Sequence, residues 1–210
     1  MTIVELYLAG TRTVREAVTD PLVVTAWDQP SVLEEQTIGS LAGHLTRTGT
    51  WIVEEFLDAG EPDGPVDFED VATFYVTLLP TEDDPIHEGI RQRGAALAAQ
   101  GSAGLAATIE ERMPRVEERL RELAGDRKLT VTAGHVMTID TYLVTRIVEQ
   151  VVHLDDLARS VARAPWDLPL GSHRLVAQVG VDIALLRHEP NDVVRALYRR
   201  GQARTVFPVI

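Results

Sequence analysis

The chain has 210 residues, of which 45% are apolar and 5% are aromatic, and it contains no cysteine. This length predicts a single domain whose core needs no disulfide or structural metal, and the absence of cysteine excludes disulfides, thiolate ligands and a protein thiol nucleophile. The formal net charge of -12 argues against nucleic-acid binding, which needs a basic face that displaces counterions from phosphates.

The N-terminal twenty residues carry five charged side chains and no uninterrupted apolar stretch, so no signal peptide is expected. A run of about eighteen apolar residues, the minimum for a membrane-spanning helix, does not occur. We therefore expect a soluble, cytoplasmic protein that does not insert into membranes.

Helical periodicity dominates the chain, and strand signals are scarce, which predicts an all-α fold. The predicted helices, in chain order, cover residues 2–19, 21–27, 37–60, 84–99, 105–123, 139–162, 172–187 and 191–201. Residues 71–79 are compatible with a short helix or an extended segment, and 129–131 with a short extended piece. Loops or linkers are predicted at 28–36, 61–70 and 167–171.

Capping residues and prolines mark where several of these helices begin. The predicted N-caps are Asp20, Thr37, Asp84, Thr138, Ser172 and Asn191. Two glycines in 101–104 are predicted to interrupt the helical run there. Several long one-sided helices are best buried as a bundle, which we assign to residues 1–165, with 166–210 as a helical extension packed on it in the same domain.

A stripe of polar side chains runs along the helix predicted for 139–162. Its members recur at steps of four, three, four and three residues, which keeps them on one helical face: Tyr142, Arg146, Glu149, His153 and Asp156. Glu149 and His153 lie about 40° apart around the axis and about 6 Å apart along it, so their side chains can close on one cation. The candidate for a third ligand is His44, at the border of the apolar face of the helix predicted for 37–60.

An ordinary explanation of this stripe remains open. Every amphipathic helix has a polar face, and Arg146 and Glu149 have the spacing of a surface ion pair worth a few tenths of a kcal/mol. His44 is compatible with a histidine at the edge of the core, and Trp51 with a core residue. Apolar residues flank the stripe on both sides, which favours an interior position where a bound metal would compensate buried charge.

Three segments resemble a known family. Residues 37–45 read TIGSLAGHL, which is similar to the histidine-bearing second helix of DinB/YfiT-like metalloproteins. Residues 134–158 read GHVMTIDTYLVTRIVEQVVHLDDLA, which resembles the branch with mycothiol-dependent maleylpyruvate isomerase, and WDQPS at 27–31 also fits. The resemblance implies a DinB-like up-down four-helix bundle with additional short helices. It also implies that the His, Glu and His ligands of that branch fall on His44, Glu149 and His153.

The resemblance further implies a divalent metal, which is zinc in the isomerase and nickel or another ion in relatives, and mycothiol as a cofactor. Two nitrogen ligands and one carboxylate suit zinc, nickel and iron alike. The implied activity is that of a mycothiol-dependent thiol S-transferase or isomerase, with a small-molecule thiol and an electrophilic substrate as partners. Three protein ligands would leave an open position, as in catalytic zinc sites.

Secondary roles follow for three further residues. Arg146 is the candidate catalytic residue, bonded either to the Glu149 carboxylate or to an anionic group of the ligand. Trp51 and Tyr142 are the candidates for cofactor binding, with Trp51 as a wall of the pocket.

The chain departs from the isomerase at its C-terminal end. That enzyme has a second domain that contributes to its active site, and 167–210 is too short to be such a domain, so maleylpyruvate is not carried over as the substrate. Two alternatives remain open: a metal-dependent hydrolase that activates a metal-bound water, and a non-enzymatic metal-binding stress-response protein that associates with itself or a partner. A homodimer is compatible with each of these functions.

Overall fold

The computed structural model describes residues 1–78, 86–123, 127–201 and 203–208. Its α-helices, in chain order, are α1 (Ile3–Val18), α2 (Pro21–Thr25), α3 (Ile38–Thr46), α4 (Ile52–Asp58), α5 (Val71–Leu78), α6 (Ile86–Ala98), α7 (Gly101–Leu123), α8 (Ile139–Ser160), α9 (Leu170–Arg187) and α10 (Pro190–Tyr198). Short antiparallel strands β1 (Lys128–Thr130) and β2 (Val136–Thr138) pair as a hairpin. The predicted all-α, DinB-like helical bundle is confirmed.

Local hydrogen bonds explain where the helices of the site begin. The side chains of Asp20, Thr37 and Thr138 each accept a hydrogen bond from a backbone N–H two or three residues further on. These bonds satisfy donors that the first turn of a helix leaves unpaired. The three predicted caps are therefore confirmed, whereas the cap predicted at Asp84 lies outside the described residues.

Two predicted caps near the C-terminal end are wrong. Helix α9 begins at Leu170, so Ser172 lies inside its first turn, where it is 1% exposed. Helix α10 begins at Pro190, because proline suits the first helical position, and Glu189 rather than Asn191 precedes it as the N-cap.

Two further boundaries differ from the prediction. Residues 101–104 belong to the first turn of α7, and the interruption falls before Gly101, whose φ of +71° is a conformation that glycine adopts without strain. The single helix predicted for 37–60 is divided by a five-residue π-helical turn, Arg47–Trp51, between α3 and α4. The ambiguous segment after the second loop is helical as α5.

The core lies where α1, α3, α7 and α8 face one another. Each of these helices contributes a side chain with no exposed surface: Tyr7, Leu41, Leu120 and Leu143. Helix α3 also packs against α6, and α9 packs against α5 and α8. Burial of this single large cluster holds together the helices that carry the site.

The C-terminal segment contributes to two clusters. Val179 and Ile183 of α9 belong to the main core, while Ala184, Val193 and Val206 form part of a second, smaller cluster between α9, α10 and the tail. Val206 is 3% exposed, so this part of the tail packs on α9 and α10. Among the described residues, no helix is both long enough and apolar enough to cross a membrane.

Candidate metal centre

Two helices bring three potential ligands together in the bundle. On α8, Glu149 and His153 are one turn apart, and the distance from His153 Nε2 to Glu149 Oε2 is 3.4 Å. On α3, His44 places its Nε2 atom 3.0 Å from the same Glu149 oxygen. The two imidazole rings are 4.9 Å apart and nearly perpendicular. We refer to these three residues as the His–Glu–His triad.

Close packing of α3 against α6 fixes the position of His44. A Cβ atom on Gly43 would lie 2.4 Å from the carbonyl oxygen of Gly94, so the two helices approach to a distance that only glycine allows. Every residue of α3 is buried. The helix is therefore held between α6 on one side and α8 on the other, and the residue after Gly43 points its imidazole toward α8.

The triad is largely but not completely enclosed. The side chains of His44, Glu149 and His153 keep 10%, 18% and 21% of their surface exposed. The three side chains are therefore not fully shielded from solvent, and one ligand atom from each lies within 4.8 Å of the others. Among the described residues, no other group of three or more His, Asp or Glu side chains is arranged to hold a metal ion.

The two histidines of the triad differ in the direction in which their pKa values are shifted. Burial lowers the pKa of His44, which is therefore neutral at neutral pH. Burial would also lower the pKa of His153, but hydrogen bonds with Asp156 and Glu149 outweigh it and raise that pKa to about 9. Burial by itself would raise the pKa of Glu149. Hydrogen bonds from both histidines and the nearby Arg146 guanidinium outweigh burial and hold that pKa well below its usual range.

Asp156 orients His153, a role that the sequence analysis did not assign. Its Oδ2 atom lies 3.1 Å from His153 Nδ1, and its side chain is only 12% exposed. A carboxylate on Nδ1 leaves Nε2 facing the triad, which is the usual arrangement for a metal-binding histidine. The signal was present in the sequence, because Asp156 closes the polar stripe three residues after His153.

Arg146 lies beside Glu149 in the interior. It is 7% exposed, and its Nη2 atom is 4.0 Å from Glu149 Oε1. Its Nη1 donates to the carbonyl of Thr48 at 3.3 Å, and its Cζ lies 4.8 Å from the centre of the Tyr142 ring. At 4.0 Å the contact with Glu149 is an ion pair without a hydrogen bond, and the role of Arg146 as a partner of Glu149 or of an anionic ligand stays a prediction.

The two predicted cofactor contacts are buried side chains. Tyr142 is 1% exposed, and Trp51 is 6% exposed with the Arg112 guanidinium 4.1 Å from its ring centre. The Tyr142 hydroxyl and the Trp51 indole N–H are both buried without a hydrogen-bond partner among the described residues. A role in cofactor binding stays a prediction for both, and each has a polar atom available for it.

The donor set fits a divalent cation. Zinc bonds of about 2.0–2.1 Å at tetrahedral angles place ligand atoms about 3.4 Å apart. The distances from Glu149 Oε2 to the Nε2 atoms of His44 and His153, 3.0 and 3.4 Å, are close to this value. Two imidazole nitrogens and one carboxylate also suit nickel and iron. Three protein ligands leave room for at least one exogenous ligand.

Comparison with known proteins identifies the family. The family model described as the mycothiol maleylpyruvate isomerase N-terminal domain matches residues 8–158, which include α3, most of α8 and the whole His–Glu–His triad. No curated protein and no solved structure matches the chain at a significant level. Since the matched segment covers well over half of the sequence, the chain belongs to the mycothiol maleylpyruvate isomerase N-terminal domain family.

Proposed function

We propose that this protein is a metal-dependent and mycothiol-dependent S-transferase or isomerase that acts on a small electrophilic molecule. The observation that carries the proposal is the convergence of two imidazole Nε2 atoms on one carboxylate oxygen, at 3.0 and 3.4 Å, in a member of a mycothiol-associated family. Partial exposure of all three side chains supports a reactive site over a closed structural one.

The residues of the site would have separate roles in binding and orienting the metal. His44, Glu149 and His153 would hold a divalent cation, with zinc as the first candidate, which would supply Lewis acidity that lowers the pKa of a thiol in the open position. Asp156 keeps the Nδ1 proton of His153 in place, and Arg146 balances the charge of Glu149. Burial of these groups strengthens their electrostatic effect on any ligand that enters.

The amino-acid composition is consistent with a sulfur nucleophile that is supplied by a thiol cofactor. The protein has no cysteine, so any thiol chemistry at this site requires a thiol cofactor. The family name supplies mycothiol as the candidate. The thiolate sulfur would then form a C–S bond to the electrophile. Displacement of a leaving group, or addition to a double bond followed by protonation, gives a stable thioether, whereas later cleavage of the C–S bond returns the thiol and permits isomerisation.

Metal content provides the direct test of the site. Protein purified without chelators should contain close to one equivalent of a divalent metal, and a His153→Ala variant should lose most of it. His173→Ala is the matched control, because His173 is an exposed histidine of α9 outside the triad. Equal metal content in the wild type and His153→Ala would contradict the assignment.

Thiol dependence provides the test of the reaction. Mycothiol should raise the thermal midpoint of the metal-loaded protein and leave that of the chelated protein unchanged, because only the loaded form has the binding site. Turnover of an electrophile such as chlorodinitrobenzene should require the thiol. Turnover of a substrate without any thiol would instead support a metal-dependent hydrolase.

A further inference from the structure

An irregular turn follows directly after the metal-ligating segment of α3. Residues Arg47–Trp51 form a π-helical turn, in which the Ile52 N–H bonds to the carbonyl of Arg47, five residues back. Such turns are rare and occur frequently at functional sites, because they insert one extra residue and disturb the regular hydrogen-bond ladder. The turn begins three residues after His44.

Gln150 of α8 binds this turn from inside the bundle. Its side chain is 1% exposed, and its amide nitrogen lies 2.6 Å from the carbonyl oxygen of Gly49. The same nitrogen lies 3.0 Å from the carbonyl of Tyr7 and 3.3 Å from the hydroxyl of Thr11. One buried amide therefore ties the π-helical turn to both α1 and α8.

The orientation of this amide is fixed by its partners. Two of them are backbone carbonyls, which only accept hydrogen bonds, so the NH₂ group must face them. Space for the amide comes from two glycines. A Cβ atom on Gly10 would lie 1.9 Å from Gln150 Oε1, and one on Gly49 would lie 3.2 Å from Gln150 Cγ.

A second contact links the same turn to both helices of the site. Arg146, one helical turn before Gln150, donates to the carbonyl of Thr48 at 3.3 Å. The hydroxyl of Thr48 in turn donates to the carbonyl of His44 at 2.8 Å. A continuous set of hydrogen bonds thus runs from α8 through the π-helical turn to the backbone of His44.

We propose that Gln150 is a positioning residue of the metal centre. Gln150, together with the neighbouring Arg146, holds the π-helical turn against α8. This contact fixes the position of α3 along α8, and the His44 imidazole therefore stays within reach of Glu149 and His153. Sites held within about 0.5 Å depend on such buried supporting contacts. This inference rests on the proposed function, because it takes His44 as a metal ligand.

The test compares two ways of breaking the contact with one matched control. Gln150→Met removes the donors at nearly constant volume, and Gly10→Ala pushes the amide away from α1 while leaving its chemistry intact. Leu143→Ala, a core truncation in α8 with no exposed surface, is the control for lost stability. Zinc affinity is measured by competition with a chromophoric chelator, and cobalt(II) absorption reports the coordination geometry.

Gln150→Met and Gly10→Ala should each weaken zinc binding by about 10-fold to 100-fold, as is usual for residues that support metal ligands. Both should change the cobalt(II) spectrum, whereas Leu143→Ala should lower the thermal midpoint and keep the affinity and spectrum of the wild type. Wild-type zinc affinity and an unchanged spectrum in both contact variants would overturn the proposal. So would an equal loss of affinity in Leu143→Ala.

Hydrogen exchange separates this inference from the proposed function. In the chelated protein, Gln150→Met should accelerate amide exchange in residues 47–51 more than elsewhere, and Leu143→Ala should not show that local effect. If the wild type binds no metal, the proposed function fails, and the positioning role of Gln150 at a metal site fails with it. The exchange result then decides whether Gln150 still holds the π-helical turn. Unchanged exchange in Gln150→Met would remove the structural basis as well.

Discussion

Zinc binding should release close to one proton from this protein at neutral pH, and Asp156 should be responsible. Burial opposes the positive charge of His153, but hydrogen bonds with Asp156 and Glu149 outweigh it and raise the pKa to about 9. The pKa of His44 is lowered by burial, and the Glu149 carboxyl is ionised. A metal binds only the neutral imidazole of His153, so one proton has to leave.

The magnitude follows from the protonated fractions. At pH 7.5 an imidazole with a pKa of about 9 is about 97% protonated, whereas one with the ordinary pKa of about 6.5 is about 9% protonated. The triad should therefore release about one proton, compared with about 0.2 from two ordinary histidines. Because His153 is mostly protonated between pH 6 and pH 8, zinc affinity should fall about tenfold for each unit by which the pH is lowered, or by about 2.7 kcal/mol from pH 8 to pH 6.

Titration calorimetry in two buffers of different ionisation enthalpy measures the released protons. Asp156→Asn removes the hydrogen bond that contributes most to raising the pKa of His153, so the variant should release fewer protons than the wild type. Equal release by the wild type and Asp156→Asn would refute this account of His153.

Three further predictions concern stability. Gly43→Ala should destabilise the protein by about 1–3 kcal/mol in urea unfolding, because the added Cβ would lie 2.4 Å from a backbone carbonyl of α6, whereas Gly64→Ala meets nothing within 4 Å and should be close to neutral. Glu54→Ala should cost about 1–3 kcal/mol, because a fully buried carboxylate loses its ion pairs with Arg112 and Arg115, while these two arginines stay 28% and 64% exposed and remain solvated. Glu55→Ala, whose carboxylate is 40% exposed, should cost less than about 1 kcal/mol, and a reversed order would contradict the burial argument. Chelation should lower the thermal midpoint of the wild type, by the equivalent of about 4 kcal/mol if the metal had been present at 1,000 times its Kd, and should leave His153→Ala unaffected.

The local part of the site could be predicted from the sequence because a helix has a fixed period. Steps of four and three residues place Glu149, His153 and Asp156 on one face of α8, and the structure keeps them there. The contact of His44 with Glu149 and His153 does not follow from helical spacing, because His44 lies on another helix. It depends on how α3 lies between α6 and α8, and no local period contains that information. The sequence pattern could therefore nominate His44 only as a candidate, and the resemblance to a family with a His–Glu–His site strengthened that choice.

The π-helical turn could not be predicted for the same physical reason. The segment from Thr46 to Trp51 has no proline, and its single glycine is tolerated in many helices. Two side chains of α8, about 100 residues later in the chain, stabilise the turn. They donate hydrogen bonds to the backbone carbonyls of Thr48 and Gly49. A local sequence pattern does not reveal such distant donors.

This turn also changes which neighbour the second half of the helix meets. In a continuous α-helix, seven residues complete nearly two turns, so Trp51 would stand almost directly above His44. The extra residue of the π-helical turn breaks that alignment. Trp51 packs on Arg112 instead, and Glu54 and Asp58 form ion pairs with arginines of α7. The segment before the turn thus carries His44 of the triad, and the segment after it forms ion pairs with α7, while Phe56 keeps an edge contact with Tyr142 of α8. Gln150 and Arg146 contact the turn between these two segments.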